Sequence, residues 1–80
     1  MATKADQQLA LRLCRALSVD TGRRPMQWRT LALIARRARI RDLAEIDKAV
    51  AEAVKFGWLL VEGGHSIALT DSGRSAARAP

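Results

Sequence analysis

The segment from Phe56 to Arg74, FGWLLVEGGHSIALTDSGR, constrains the fold most, because it holds a helix stop, a tight hairpin and a new helix start. Gly57 can take the left-handed conformation that closes a preceding helix. Trp58 to Glu62 and His65 to Thr70 are apolar and β-branched enough for two short strands, and Gly63-Gly64 supplies the positive φ values of a two-residue hairpin loop. Pairing across that loop sets Glu62 opposite His65 and Leu60 opposite Ile67. Trp58, Leu60, Ile67 and Leu69 then share one side of the hairpin, expected to lie on the core. Thr70 stands where its hydroxyl caps the next helix, with Asp71 in the first turn.

Upstream, the apolar spacing predicts three helices. Thr3 and Asp6 form a capping pattern for a helix over about 4–18, with Leu9, Leu13, Ala16 and Leu17 as its stripe, closed by Asp20-Thr21-Gly22. Pro25 suits the first turn of a second helix over about 26–38, whose inner face carries Trp28, Leu31, Ala35 and Ala38. Ile40 is the apolar plug of the following turn. Asp42 with Glu45 opens a third helix over about 43–56, with Leu43, Ile46, Val50 and Val54 toward the core. The hairpin over about 58–70 and a short helix over about 71–78 complete a mainly α fold with a small antiparallel β-hairpin, expected to be one domain over residues 1–80.

Gly57-Trp58-Leu59-Leu60 after a helix, then Leu69-Thr70-Asp71-Ser72-Gly73-Arg74 after a hairpin, with a helix-turn-helix from Met26 to Phe56, resembles the winged helix-turn-helix domains of prokaryotic transcription regulators. That superfamily includes the multiple-antibiotic-resistance and arsenical-resistance repressors. The resemblance covers most of the chain and implies a three-helix core plus wing and short C-terminal helix. It also implies DNA binding with the third helix in the major groove. Winged helices serve as protein-interaction modules as well.

Several classes of function are disfavoured by what the chain lacks. One cysteine, Cys14, permits no internal disulfide, and its place beside Leu13 and Leu17 makes it a small buried hydrophobe. A single histidine, His65, leaves no ligand set for a metal, so no cofactor is expected. His65, Ser66 and Asp71 do not make a catalytic triad, because strand neighbours point to opposite faces and nothing supplies an oxyanion hole. Gly63-Gly64 lacks the spacing and lysine of a phosphate loop. No enzyme is expected. Uncharged runs such as Thr30 to Ala35 are far too short for a bilayer, and the polar N-terminus is not a signal peptide, which points to a cytoplasmic protein without a membrane partner. At 80 residues the core is small, so a homodimer or another protein partner would add stability.

Charge is distributed unevenly. Residues 1–41 carry ten basic and two acidic side chains, a net of +8, whereas 42–80 carry four basic and six acidic, a net of −2. Seven arginines and no acid lie between Thr21 and Arg41, a density that favours phosphate or another polyanion. The residues expected to meet duplex DNA are Arg23, Arg24, Arg29, Arg36, Arg37, Arg39 and Arg41, assisted by Lys48, Lys55 and a weak wing contact from His65.

The third helix departs from the resemblance. Its expected outward residues Glu45, Lys48, Glu52 and Lys55, with Asp47 beside them, form a ladder of alternating charge that also describes an ordinary solvated face. Arg39 and Arg41 likewise lie close enough to Asp42 and Glu45 for local ion pairs. Leu33 among the arginines and Leu11 on the first helix are candidate contacts in a dimer or partner interface. Two functions follow: a small DNA-binding protein, a transcriptional regulator or accessory factor, or a protein-recognition module using the acidic third helix or the apolar patch. RNA or an anionic membrane bound by arginine charge alone is a third reading, disfavoured by the lack of an aromatic platform.

Overall fold

The computed structural model describes residues 4–22, 24 and 26–78. In chain order they form α1 (Lys4–Asp20), β1 (Trp28–Thr30), α2 (Leu31–Arg37), α3 (Leu43–Lys55), β2 (Leu59–Glu62), β3 (Ser66–Leu69) and α4 (Asp71–Arg78). The fold is mainly helical with a three-stranded antiparallel sheet of order β1-β3-β2. Thr3 and Pro25, expected at two helix starts, lie outside the described residues, as does Arg23.

α1 runs through the middle of the structure. Ala10, Leu13, Cys14 and Leu17 are fully buried at helical spacing against α3, α4 and α2. It extends two residues past the expected end, to Asp20, and Gly22 closes it at φ 63°. The stripe that meets α1 from α3 is built on Ala49 and Ala53, one turn apart, whose small side chains allow a close approach.

This choice of stripe corrects the expected orientation of α3. Leu43 is 77% exposed and Val54 46% exposed, while Glu52, expected outside, is only 8% exposed. Ile46 and Val50 flank the alanines, half-buried. The largest apolar residues of the helix therefore sit at the edge of its contact rather than at its centre. Asp42 caps the helix as expected, accepting a hydrogen bond from Ala44 N–H at 2.9 Å.

The second helix is shorter than expected because its first turn is a strand. Trp28, Arg29 and Thr30 pair with Ala68, Ile67 and Ser66, occupying the edge of β3 that the hairpin alone would leave open. Trp28 is consequently outside the helical inner face, whereas Leu31, Ala35 and Ala38 do turn inward with Ile34. Ile40 fills the turn and is buried.

The hairpin register also differs by one residue. Glu62 lies opposite Ser66 and Leu60 opposite Ala68, so the loop contains Gly63, Gly64 and His65. Gly63 and Gly64 both take positive φ, 63° and 72°, as the expected tight turn requires, and His65 follows as one extra residue before the paired strand. The shift brings Leu59, 1% exposed, inward beside Ile67 and Leu69, and turns Leu60 out. Trp58 is half-buried and stacks on Phe56, with ring centroids 4.7 Å apart.

Thr70 joins the sheet to α4. Its hydroxyl donates to the Gly57 carbonyl at 2.6 Å and accepts from Gly73 N–H at 3.0 Å. Gly73 packs so closely on the Trp58 carbonyl that an added Cβ would collide with that oxygen unless α4 shifts. No helix among the described residues is long and apolar enough to cross a membrane.

Candidate nucleic-acid interface

The arginine-rich half of the chain folds into a groove between α1 and the end of α2. Arg12, Arg15, Ala16 and Val19 form the α1 wall, at i, i+3, i+4 and i+7 along one side of the helix. Arg36, Arg37, Ala38 and Arg39 form the other wall, and the groove has a volume of about 610 Å³. Among the described residues, five arginines and no carboxylate line it. A second hollow of about 490 Å³ adjoins it at Arg15 and Val19 and extends to Ser18, Ala77 and Arg78 on the α4 side.

Each arginine is held differently. Arg12 donates to the Ala38 carbonyl at 2.7 Å and to the Arg39 carbonyl at 3.3 Å, satisfying acceptors that the helix end would leave open. Arg37 lies 2.9 Å from Asp20 Oδ1, and Arg29 lies 3.0 Å from Asp20 Oδ2, so one carboxylate holds both guanidinium groups. Among the described residues, Arg24, Arg36, Arg39 and Arg41 pair with no carboxylate. The expected local pairs of Arg39 and Arg41 with Asp42 and Glu45 do not form, and Asp42 instead accepts from Ala44 N–H as the cap of α3.

The expected DNA contacts are thus only partly gathered. Arg36, Arg37 and Arg39 share the groove, whereas Arg24 and Arg41 are exposed outside its lining. Arg29 belongs to β1 rather than to the outer face of α2, and its pairing with Asp20 draws it toward the end of α1. Lys48 and Lys55 are exposed on α3, and His65 sits at the hairpin tip with Nδ1–H donating to the Gly63 carbonyl at 2.6 Å. Arg12 and Arg15 were the contributors that the density of arginines after Thr21 did not reveal. Their signal is the stripe along one side of α1.

The exposed side of α3 carries Leu43, Ala44, Glu45, Asp47, Lys48, Ala51, Val54 and Lys55, with Glu45, Lys48 and Lys55 outward as expected. It is more apolar and less acidic than the expected ladder, since Glu52 has turned inward. Among the described residues no group of three or more histidine, cysteine or acidic side chains is arranged to hold a metal ion. Comparison with protein-family models, with curated proteins and with solved structures gives no match.

Proposed function

We propose that this chain is a small winged helix-turn-helix protein of regulatory or accessory type that binds duplex DNA mainly through phosphates. The observation that carries this reading is the groove lined, among the described residues, by five arginines and no carboxylate, with Arg36 and Arg39 in no ion pair. Crowding like charges costs folding free energy that an anion offsets, and guanidinium forks match phosphate oxygens in pairs. The order of elements supports it: α2 and α3 form a helix pair joined by a short turn, and the β2–β3 hairpin follows in the position of a wing. Arg36 and Arg39 are the leading contacts, with Arg24 and Arg41 on the flanking backbone and Lys48 and Lys55 assisting.

A second reading, recognition of a protein, draws support from the exposed Leu43 and Val54 on α3, where a base-reading helix would carry polar groups. The discriminating experiment is a gel-shift titration with random-sequence duplex DNA at two salt concentrations. Binding at low salt that is lost at high salt is expected. No binding at low salt would transfer the proposal to a protein partner.

A further inference from the structure

Among the described residues, three helices end in a left-handed residue, and one of the three is not glycine. α1 ends through Gly22 at φ 63°, α3 through Gly57 at φ 75°, and α2 through Arg39 at φ 61°. The last two ends are built alike. Gly57 N–H donates to Val54 at 2.9 Å and Trp58 N–H to Ala53 at 2.8 Å; Arg39 N–H donates to Arg36 at 3.1 Å and Ile40 N–H to Ala35 at 3.0 Å. This double-bonded closure favours glycine at its left-handed position, because a Cβ there crowds the backbone. The protein itself supplies glycine at the equivalent place in α3. The backbone of the α2 turn therefore gives no reason for arginine over glycine.

The Arg39 side chain lines the arginine groove and pairs with no carboxylate among the described residues. The strained turn is held from across the groove by Arg12, whose guanidinium donates to the carbonyls of both Ala38 and Arg39. Met26, at φ 62°, is the other non-glycine left-handed residue among the described residues, and Arg39 differs from it in lining the groove, so its strained conformation grounds a functional hypothesis. We propose that the groove is a clamp for a linear chain of phosphates, the backbone of one DNA strand, in which Arg39 contacts phosphate and Arg12 is the positioning residue that latches Arg39 in place. The open groove suits a polymer lying along it. This assignment rests on the DNA-binding reading and adds to it the residues of the contact and their division of labour.

The test uses the full chain, with Arg39→Gly, Arg39→Asn, Arg12→Ala and the double variant Arg12→Ala/Arg39→Gly. Thermal unfolding, affinity for random-sequence duplex across a salt series, and amide chemical shifts with tripolyphosphate are read for each. Arg39→Gly is expected to raise Tm by a few degrees while weakening duplex binding about tenfold and lowering the salt slope by about 0.9. Arg39→Asn, which also tolerates the left-handed region, is expected to weaken binding without loss of Tm. Arg12→Ala is expected to lower Tm and to weaken binding in the parent chain but not further in the Arg39→Gly background.

A fall in Tm for Arg39→Gly would overturn the strain argument. An Arg12→Ala loss of affinity that persists in the double variant would make Arg12 a direct contact and end its positioning role. Duplex binding that Arg39→Gly leaves unchanged would overturn the clamp while the DNA reading stands. Tripolyphosphate shifts around 36–40 without any duplex binding would overturn the DNA reading and with it the assignment of the groove to a DNA strand. Absence of both would overturn both.

Discussion

Asp20 holds Arg37 at 2.9 Å through one carboxylate oxygen while its other oxygen holds Arg29. The last residue of α1 thus restrains the end of α2 and the middle of β1 together. It is one of only two acids in the first 41 residues, and it withdraws two guanidinium groups from any external anion. Asp20→Asn is expected to increase low-salt affinity for random duplex several-fold and to steepen the salt slope by about 0.9 for each arginine that engages phosphate. Stability is expected to fall by about 1 kcal/mol, because the pairs are partly solvated. A salt titration with a urea midpoint for the same variant checks both, and weaker DNA binding would show that the Asp20 pairs organise the contact rather than compete with it.

Glu52 is buried on α3 with Oε2 lacking a hydrogen-bond partner. An unsatisfied buried acceptor costs about 1–3 kcal/mol. Glu52→Met, which keeps the length and removes the carboxylate, is therefore expected to raise the urea midpoint. A lowered midpoint would mean that the carboxylate is stabilising where it stands.

Gly73 is expected to resist substitution. Alanine normally favours a helix over glycine by up to about 1 kcal/mol, but here its Cβ would meet the Trp58 carbonyl and Leu69 Cδ1, 2.7 Å away. Displacing α4 from that carbonyl should cost about 1–3 kcal/mol overall. Thermal unfolding of Gly73→Ala checks this, and a Tm equal to or above that of the parent would show that α4 is not seated there.

Cys14 is fully buried and its thiol is pushed up to about 12 by loss of solvation. The neutral thiol is therefore the native form at pH 8, and labelling by a disulfide reagent should occur only through opening of the structure. The associated stability is fully present below the ordinary thiol pKa of 9.0 and is lost as pH rises from there toward about 12, because the unfolded chain releases its proton first. Labelling rates measured against urea should track global unfolding. Rapid labelling in native buffer would contradict the burial of this residue.

Local chemistry made much of the fold legible. Asp42, Gly57 and Thr70 act through their own neighbours, so their roles as cap, helix stop and cap could be read directly. The hairpin was legible as an element, but its register turned on whether His65 belonged to the loop or the strand, and one residue exchanged Leu60 for Leu59 in the core. β1 was not legible, because three residues become a strand only when β3 offers an open edge. The face of α3 was misjudged for a related reason. Leu43 and Val54 outrank Ala49 and Ala53 in hydrophobicity, yet close helix packing selects the smaller pair. For the candidate site, the arginine density located one wall of the groove, while Arg12 and Arg15 joined it only through the packing of α1 on α2.

The central claim, that the α1–α2 arginine groove meets duplex phosphates, is tested most directly by amide chemical-shift mapping during titration with random-sequence duplex DNA at low salt. The largest shifts are expected at residues 12–19 and 36–41, with smaller ones along α3, and they should vanish together as salt is raised. Shifts confined to the outward face of α3 and to Phe56, Trp58 and Leu60, or none in the groove while DNA is bound, would contradict it.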